Sequence, residues 1–146
     1  MIINDFHGKY LFLSNFYIGD TPVVGYPTLE HAYQAMKTND RAERNLIRGA
    51  GTPGQAKRMG RRLTLRPDWE LVKYDVMKFL IMEKFQAGSE LAEMLMATGY
   101  TDLVEGNTWH DNIWGDCSCG RDACAKPGSN WLGKLLNERR MLLAEI

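Results

Sequence analysis

The sequence predicts an α+β fold: a compact, mainly helical single domain over residues 1–146 with a small β-sheet. Three observations carry that expectation. Helical periodicity, framed by start and stop signals, recurs along most of the chain. Only KYLFL and PVVGY, within residues 9–26, read as strands, and Pro22 and Gly25 make them edge-like. No repeat or low-complexity tract divides the 146 residues, a length that fits one domain with its own core.

The elements follow in order. In PTLEHAYQAMK (27–37) Thr28 is an N-cap, and Leu29, Ala32, Tyr33 and Met36 form an apolar stripe. Asp40 caps a second helix that Gly49 and Gly51 end. TPGQ (52–55) supplies a cap at Thr52, proline at the first helical position and Gln55 as the residue that reaches back. In PDWELVKYDVMKFLIMEKF, Asp68 caps a helix whose Trp69, Val72, Val76, Phe79 and Leu80 form one stripe. Met77, Ile81 and Phe85 widen it until the helix is apolar nearly all round. Gly88 and Ser89 precede a helix around Leu91, Met94 and Leu95, which Gly99 ends. A final helix after Ser129 carries Leu132, Leu135, Leu136 and Leu143. Residues 104–128, rich in Gly, Asp, Asn and Cys, form a long loop of the kind that carries function.

Charge excludes some classes. Lysine plus arginine and aspartate plus glutamate stand at 18 each, so no global field draws the chain to nucleic acid or anionic lipid. Locally, eight basic residues between Arg41 and Arg66 face one acid, Glu43, a balance that suits phosphate, although most of them read as a solvated helix face. Apolar runs such as FLIM are too short to span a membrane, and MIINDFHGKY has no leader pattern. With Cys117, Cys119 and Cys124 odd in number, a reducing cytoplasmic location is expected. Dinucleotide, P-loop, zincin and α/β-hydrolase motifs are absent.

Four clusters could carry chemistry. Glu30, Tyr33, Gln34 and Lys37 form a second, polar stripe on the first helix. Glu30 and Lys37 point within about 20° of each other and lie about 10.5 Å apart along an ideal axis, enough to grip a small molecule; a solvated face is the simpler alternative. In VEGNTWHDNIWGDC, Trp109 and Trp114 flank His110, Asp111 and Asn112. The rings suit stacking on a heterocycle, and Asp111 suits an acid or base; equally, the rings cover the core and Asp111 caps a turn. In FLSNFY, Ser14 and Asn15 beside Phe16 and Tyr17 offer hydrogen bonds to a base or ribose. His110, Cys117, Cys119 and Cys124 could hold a structural zinc, but C-x-C-x4-C is no standard knuckle, and free thiols are the simpler expectation.

Together FLSNFY, YPTLEHAYQAMK, AKRMGRR, DWELVKYDVM, EGNTWHDNIWGDC and NWLGKLL, in this order over roughly residues 5–140, resemble the NADAR family, also called YbiA-like. The resemblance implies an N-glycosidase with no required cofactor. Its members cleave ribosylamino-pyrimidine intermediates of riboflavin synthesis or remove ADP-ribose from guanine in nucleic acid. It implies Lys37, Glu30 and Asp111 as catalytic residues and brings Trp69 to the substrate. Ser14, Asn15, Phe16, Tyr33, Gln34, Arg48, Trp109 and Trp114 complete the expected binding set, with Arg58 and Arg61 as further phosphate candidates. The segment CSCGRDACAKPGSN departs from the short loop of the riboflavin-type members, and Asn137 stands where many relatives have Met. On that departure ADP-ribosyl-guanine is the expected substrate and the riboflavin intermediate the alternative. A non-catalytic ADP-ribose or NAD sensor is the reading of a different class.

Overall fold

The Thr28 hydroxyl starts the first helix, α1 (Leu29–Ala35), by accepting the His31 amide at 3.2 Å and bonding the His31 ring at 2.8 Å. The computed structural model describes residues 1–146, which form two compact units: Asn15–Lys84, and Met1–Ser14 with Phe85–Ile146.

In the unit of residues 15–84, Asp40 caps α2 (Arg41–Arg48) on the Glu43 amide at 3.0 Å, and Gly49 ends it. Thr52 caps α3 (Pro53–Met59) on the Gln55 amide at 3.1 Å. Gln55 reaches back as expected, though to the Gly51 amide (2.8 Å), one residue before the cap. A 3-10 turn, Gly60–Arg62, leads toward α4 (Trp69–Lys84). Helix α1 packs on α2, α3 and α4 and is buried along its whole length.

Three expectations are corrected here. PVVGY is not a strand: Val24 and Gly25 both take positive φ, closing a tight turn with one antiparallel bridge between Val23 and Tyr26. The first helix stops at Ala35, so Lys37 lies just beyond it, and its amide reaches the Gln34 carbonyl at 3.1 Å in a tighter turn. The ideal-helix spacing of Glu30 and Lys37 therefore does not apply. Helix α4 is not apolar all round: it buries Trp69, Met77, Leu80, Ile81 and Lys84, whereas Phe79 is 46% and Leu71 84% exposed.

In the other unit KYLFL is likewise no strand. It lies in a 3-10 helix, Gly8–Leu13, which buries the adjacent Phe12 and Leu13 together, as a period-2 strand would not. The small β component consists of two short parallel pairs: β1 (Ile2–Ile3) with β2 (Asp102–Leu103), and β3 (Gly106–Asn107) with β4 (Asp116–Cys117). Ser89 caps α5 (Glu90–Ala97) on the Ala92 amide at 3.1 Å. Helix α6 (Trp131–Ala144) buries Leu132, Leu135, Leu136 and Leu143, the four leucines its pattern singles out, and packs on α5 and β2. Gly133 permits that approach, because a Cβ there would overlap the Leu103 carbonyl oxygen. An α+β architecture, mainly helical with little sheet, is what the pattern predicts.

Candidate active site

The polar stripe of α1 is not solvated. Glu30 is 6% exposed, and Tyr33 and Gln34 are buried with it. Gln34 Nε2 donates to Glu30 Oε1 at 3.3 Å, holding the carboxylate in one orientation. The Glu30 amide donates to the Asn15 carbonyl at 3.0 Å, which fixes the start of the helix against the FLSNFY segment. Gln34 lies against Gly60, where a Cβ would overlap Gln34 Oε1. That turn therefore has room only for glycine while Gln34 keeps its place.

Lys37 is half-buried, its Nζ over the Tyr33 ring at 5.7 Å from the centroid. Desolvation lowers its pKa from the ordinary 10.5; Glu30 opposes this, and Lys57, Arg61 and Lys73 add to it. The net direction is down, toward the neutral amine that a nucleophile requires. Its backbone is held on both sides. The Lys37 carbonyl accepts the Arg66 amide at 2.7 Å, the Arg66 carbonyl accepts the Trp69 amide at 3.2 Å, and the Trp69 ring meets Tyr33 at 5.2 Å between centroids. Trp69, 5% exposed, is thus both a core residue and a neighbour of the polar stripe. The Arg66 guanidinium clasps the Asp68 carboxylate at 2.6 and 3.0 Å, bracing the same turn. Glu43, the lone acid of the basic tract, accepts from Thr38 Oγ1 (2.7 Å) and the Thr64 amide (3.0 Å), tying the segments after Lys37 and before Arg66 together.

The other expected residues fall as follows. Asn15 donates to Met77 Sδ at 3.7 Å, and its Oδ1 is buried without a hydrogen bond. Phe16 is partly exposed and carries Lys57 Nζ 5.9 Å from its ring centroid. Ser14 belongs to the other unit and caps its 3-10 helix, its amide donating to the Leu11 carbonyl at 2.9 Å. Arg48 stacks on Tyr26 at 4.3 Å and donates to the Gly25 carbonyl and Asn45 Oδ1. Those bonds fasten α2 to the Val23–Tyr26 turn. Arg58 and Arg61 are exposed, and of the two only Arg61 acts on Lys37.

In the loop of residues 104–128, Asp111 Oδ1 accepts the Ile113 and Trp114 amides at 3.1 and 2.9 Å, the turn-capping geometry weighed above. Asn107 brackets it, Oδ1 accepting the Asp111 amide and Nδ2 donating to the Asp111 carbonyl. Trp114 packs edge-on against Trp131 at 5.4 Å, whereas Trp109 is 53% exposed. His110 and the three cysteines converge: their ligand atoms all lie within 4.8 Å of one another.

Sequence reasoning missed several contributors. Lys57 and Lys73 influence Lys37 from α3 and α4, and Gly60 shapes the contact with Gln34. Lys84 is 6% exposed with its Nζ 5.6 Å from the Tyr17 ring centroid. The EKF sequence offered one signal: a lysine at the i+7 position of the Met77 stripe.

Comparison with known proteins identifies the family and the fold. The NADAR domain profile matches residues 4–144. The chain is 42% identical over 135 residues to the "N-glycosidase YbiA" of Escherichia coli strain K12, covering 90% of this chain and 80% of that protein. It is 37% identical over 138 residues to the "Riboflavin biosynthesis protein VVA0006" of Vibrio vulnificus, covering 92% of this chain but 36% of that longer protein. The NMR structure of E. coli YbiA superposes with a TM-score of 0.80 at 38% identity, over 99% of this chain and 84% of that one. With the six motifs in order, a profile match over nearly the whole chain and a shared fold, this chain belongs to the NADAR domain family.

Proposed function

We propose that the chain is an N-glycosidase that hydrolyses the bond between a nitrogenous base and a phosphorylated ribose, with Lys37 as covalent catalyst and Glu30 as proton shuttle. The observation that carries this reading is the environment of Lys37. Burial outweighs the adjacent carboxylate and moves the amine toward its neutral form. Neutral Nζ attacks C1 of the ribose as the C1–base bond breaks. Glu30 takes the proton that Nζ loses and delivers it to the leaving nitrogen. The remaining Nζ proton passes to the ring oxygen as the C1–O bond opens, leaving an imine between C1 and Lys37. Water adds at C1, Nζ departs with a proton, and the free sugar phosphate is released. Arg61 and Lys57 are assigned to phosphate, because both act electrostatically on Lys37.

Two substrates fit this reading. The ribosylamino-pyrimidine phosphate takes first place, because relatives named for riboflavin biosynthesis share the domain. The guanine-linked ADP-ribose of nucleic acid is the second reading, favoured by three cations around Lys37, more than a monophosphate needs. Incubation with each compound separately tests both, with released sugar phosphate as the readout. Release from one compound identifies the substrate. No release from either, with tight ADP-ribose binding, would replace the enzyme with the sensor reading.

A further inference from the structure

We propose that His110, Cys117, Cys119 and Cys124 bind one structural zinc ion. Cys117, Cys119 and Cys124 Sγ lie 3.8, 3.5 and 3.5 Å from His110 Nδ1. One ring nitrogen has a single donor or acceptor function, so three sulfurs cannot all satisfy hydrogen bonds with it. They converge as tetrahedral ligands do. With Zn–S and Zn–N bonds of about 2.3 and 2.05 Å, the N···S edge of a tetrahedron is about 3.6 Å. The three observed distances lie within a few tenths of that value, and all four ligand atoms fall within 4.8 Å of one another.

The surroundings fit anionic sulfur. Asn112 Nδ2 donates to Cys124 Sγ at 3.3 Å, and the Arg121 amide donates to Cys119 Sγ at 3.5 Å. Asn112 Oδ1 also accepts the Cys117 amide at 3.0 Å, so one side chain positions two ligands. Cys117 sits at the end of β4 and Cys124 in a 3-10 turn, with Gly120 at φ +87° between them. His110 holds φ +71°, a conformation a non-glycine residue keeps only when its surroundings over-determine it. Four protein ligands leave no open position, which marks the ion as structural. It would cross-link residues 110 to 124 in a polar stretch with little apolar surface to bury.

Protein purified under reducing conditions without chelator is expected to carry about one zinc per chain by elemental analysis. Replacement by Co(II) is expected to give intense tetrahedral d–d bands with thiolate-to-cobalt charge transfer. Chelation should expose three thiols to Ellman's reagent and lower the thermal midpoint. Asn112→Ala, which keeps all four ligands, should weaken zinc affinity about 10–100-fold. Iron in place of zinc, or no metal together with three freely reactive thiols and no cobalt spectrum, would overturn the proposal.

Discussion

At the residue scale, Glu30 and Lys37 oppose each other. A lysine beside a carboxylate ordinarily keeps its proton, yet burial dominates here. Removing the carboxylate should lower the Lys37 pKa further. Glu30→Gln is therefore expected to shift the acidic limb of the pH–kcat/KM profile to lower pH while reducing kcat about 10²–10⁴-fold; an upward shift would count against the arrangement. The same burial has a stability consequence. Between the lowered folded pKa and the unfolded 10.5 the unfolded chain binds more protons, so folding stability rises with pH across that window. Lys37→Met should accordingly keep or raise the thermal midpoint at neutral pH while abolishing turnover, as checked by calorimetry beside an activity assay. Among the arginines, Arg61→Ala is expected to raise KM, and Arg48→Ala to leave it nearly unchanged, because Arg48 is engaged with Tyr26, Gly25 and Asn45.

At the scale of elements, local chemistry made the helices legible. Thr28, Asp40 and Thr52 cap the helices they mark, and the leucines of α6 point inward as their spacing requires. The strands misled because β-rich composition near residues 10–24 coincided with positive φ at Gly8, Val24 and Gly25, which no period-2 count detects. The polar stripe of α1 was legible as a stripe but not as buried, since α2, α3 and α4 cover it from outside its own sequence. The four Cys–His residues were legible as a candidate set, but their convergence was not, since they come from a loop, a strand end and a 3-10 turn. Packing gives two checks by denaturant titration. Leu135→Ala should cost about 2–5 kcal/mol, as buried leucine truncations do. Gly60→Ala should cost about 1–3 kcal/mol by driving Gln34 off Glu30, with activity falling alongside.

At the scale of the whole molecule, the fold class and family were visible from six weak motifs in order, and the match over residues 4–144 with a TM-score of 0.80 to E. coli YbiA bears them out. Substrate identity was less legible, because it depends on which groups surround the sugar, and fold similarity does not carry that information. Reaction class was legible through the family resemblance, and it is carried by 42% identity to the "N-glycosidase YbiA" of E. coli. The most direct test is borohydride reduction during turnover, followed by peptide mapping. Covalent catalysis by Lys37 predicts the sugar linked to the peptide carrying Lys37 and no adduct in Lys37→Ala. An adduct of equal yield in Lys37→Ala would contradict it.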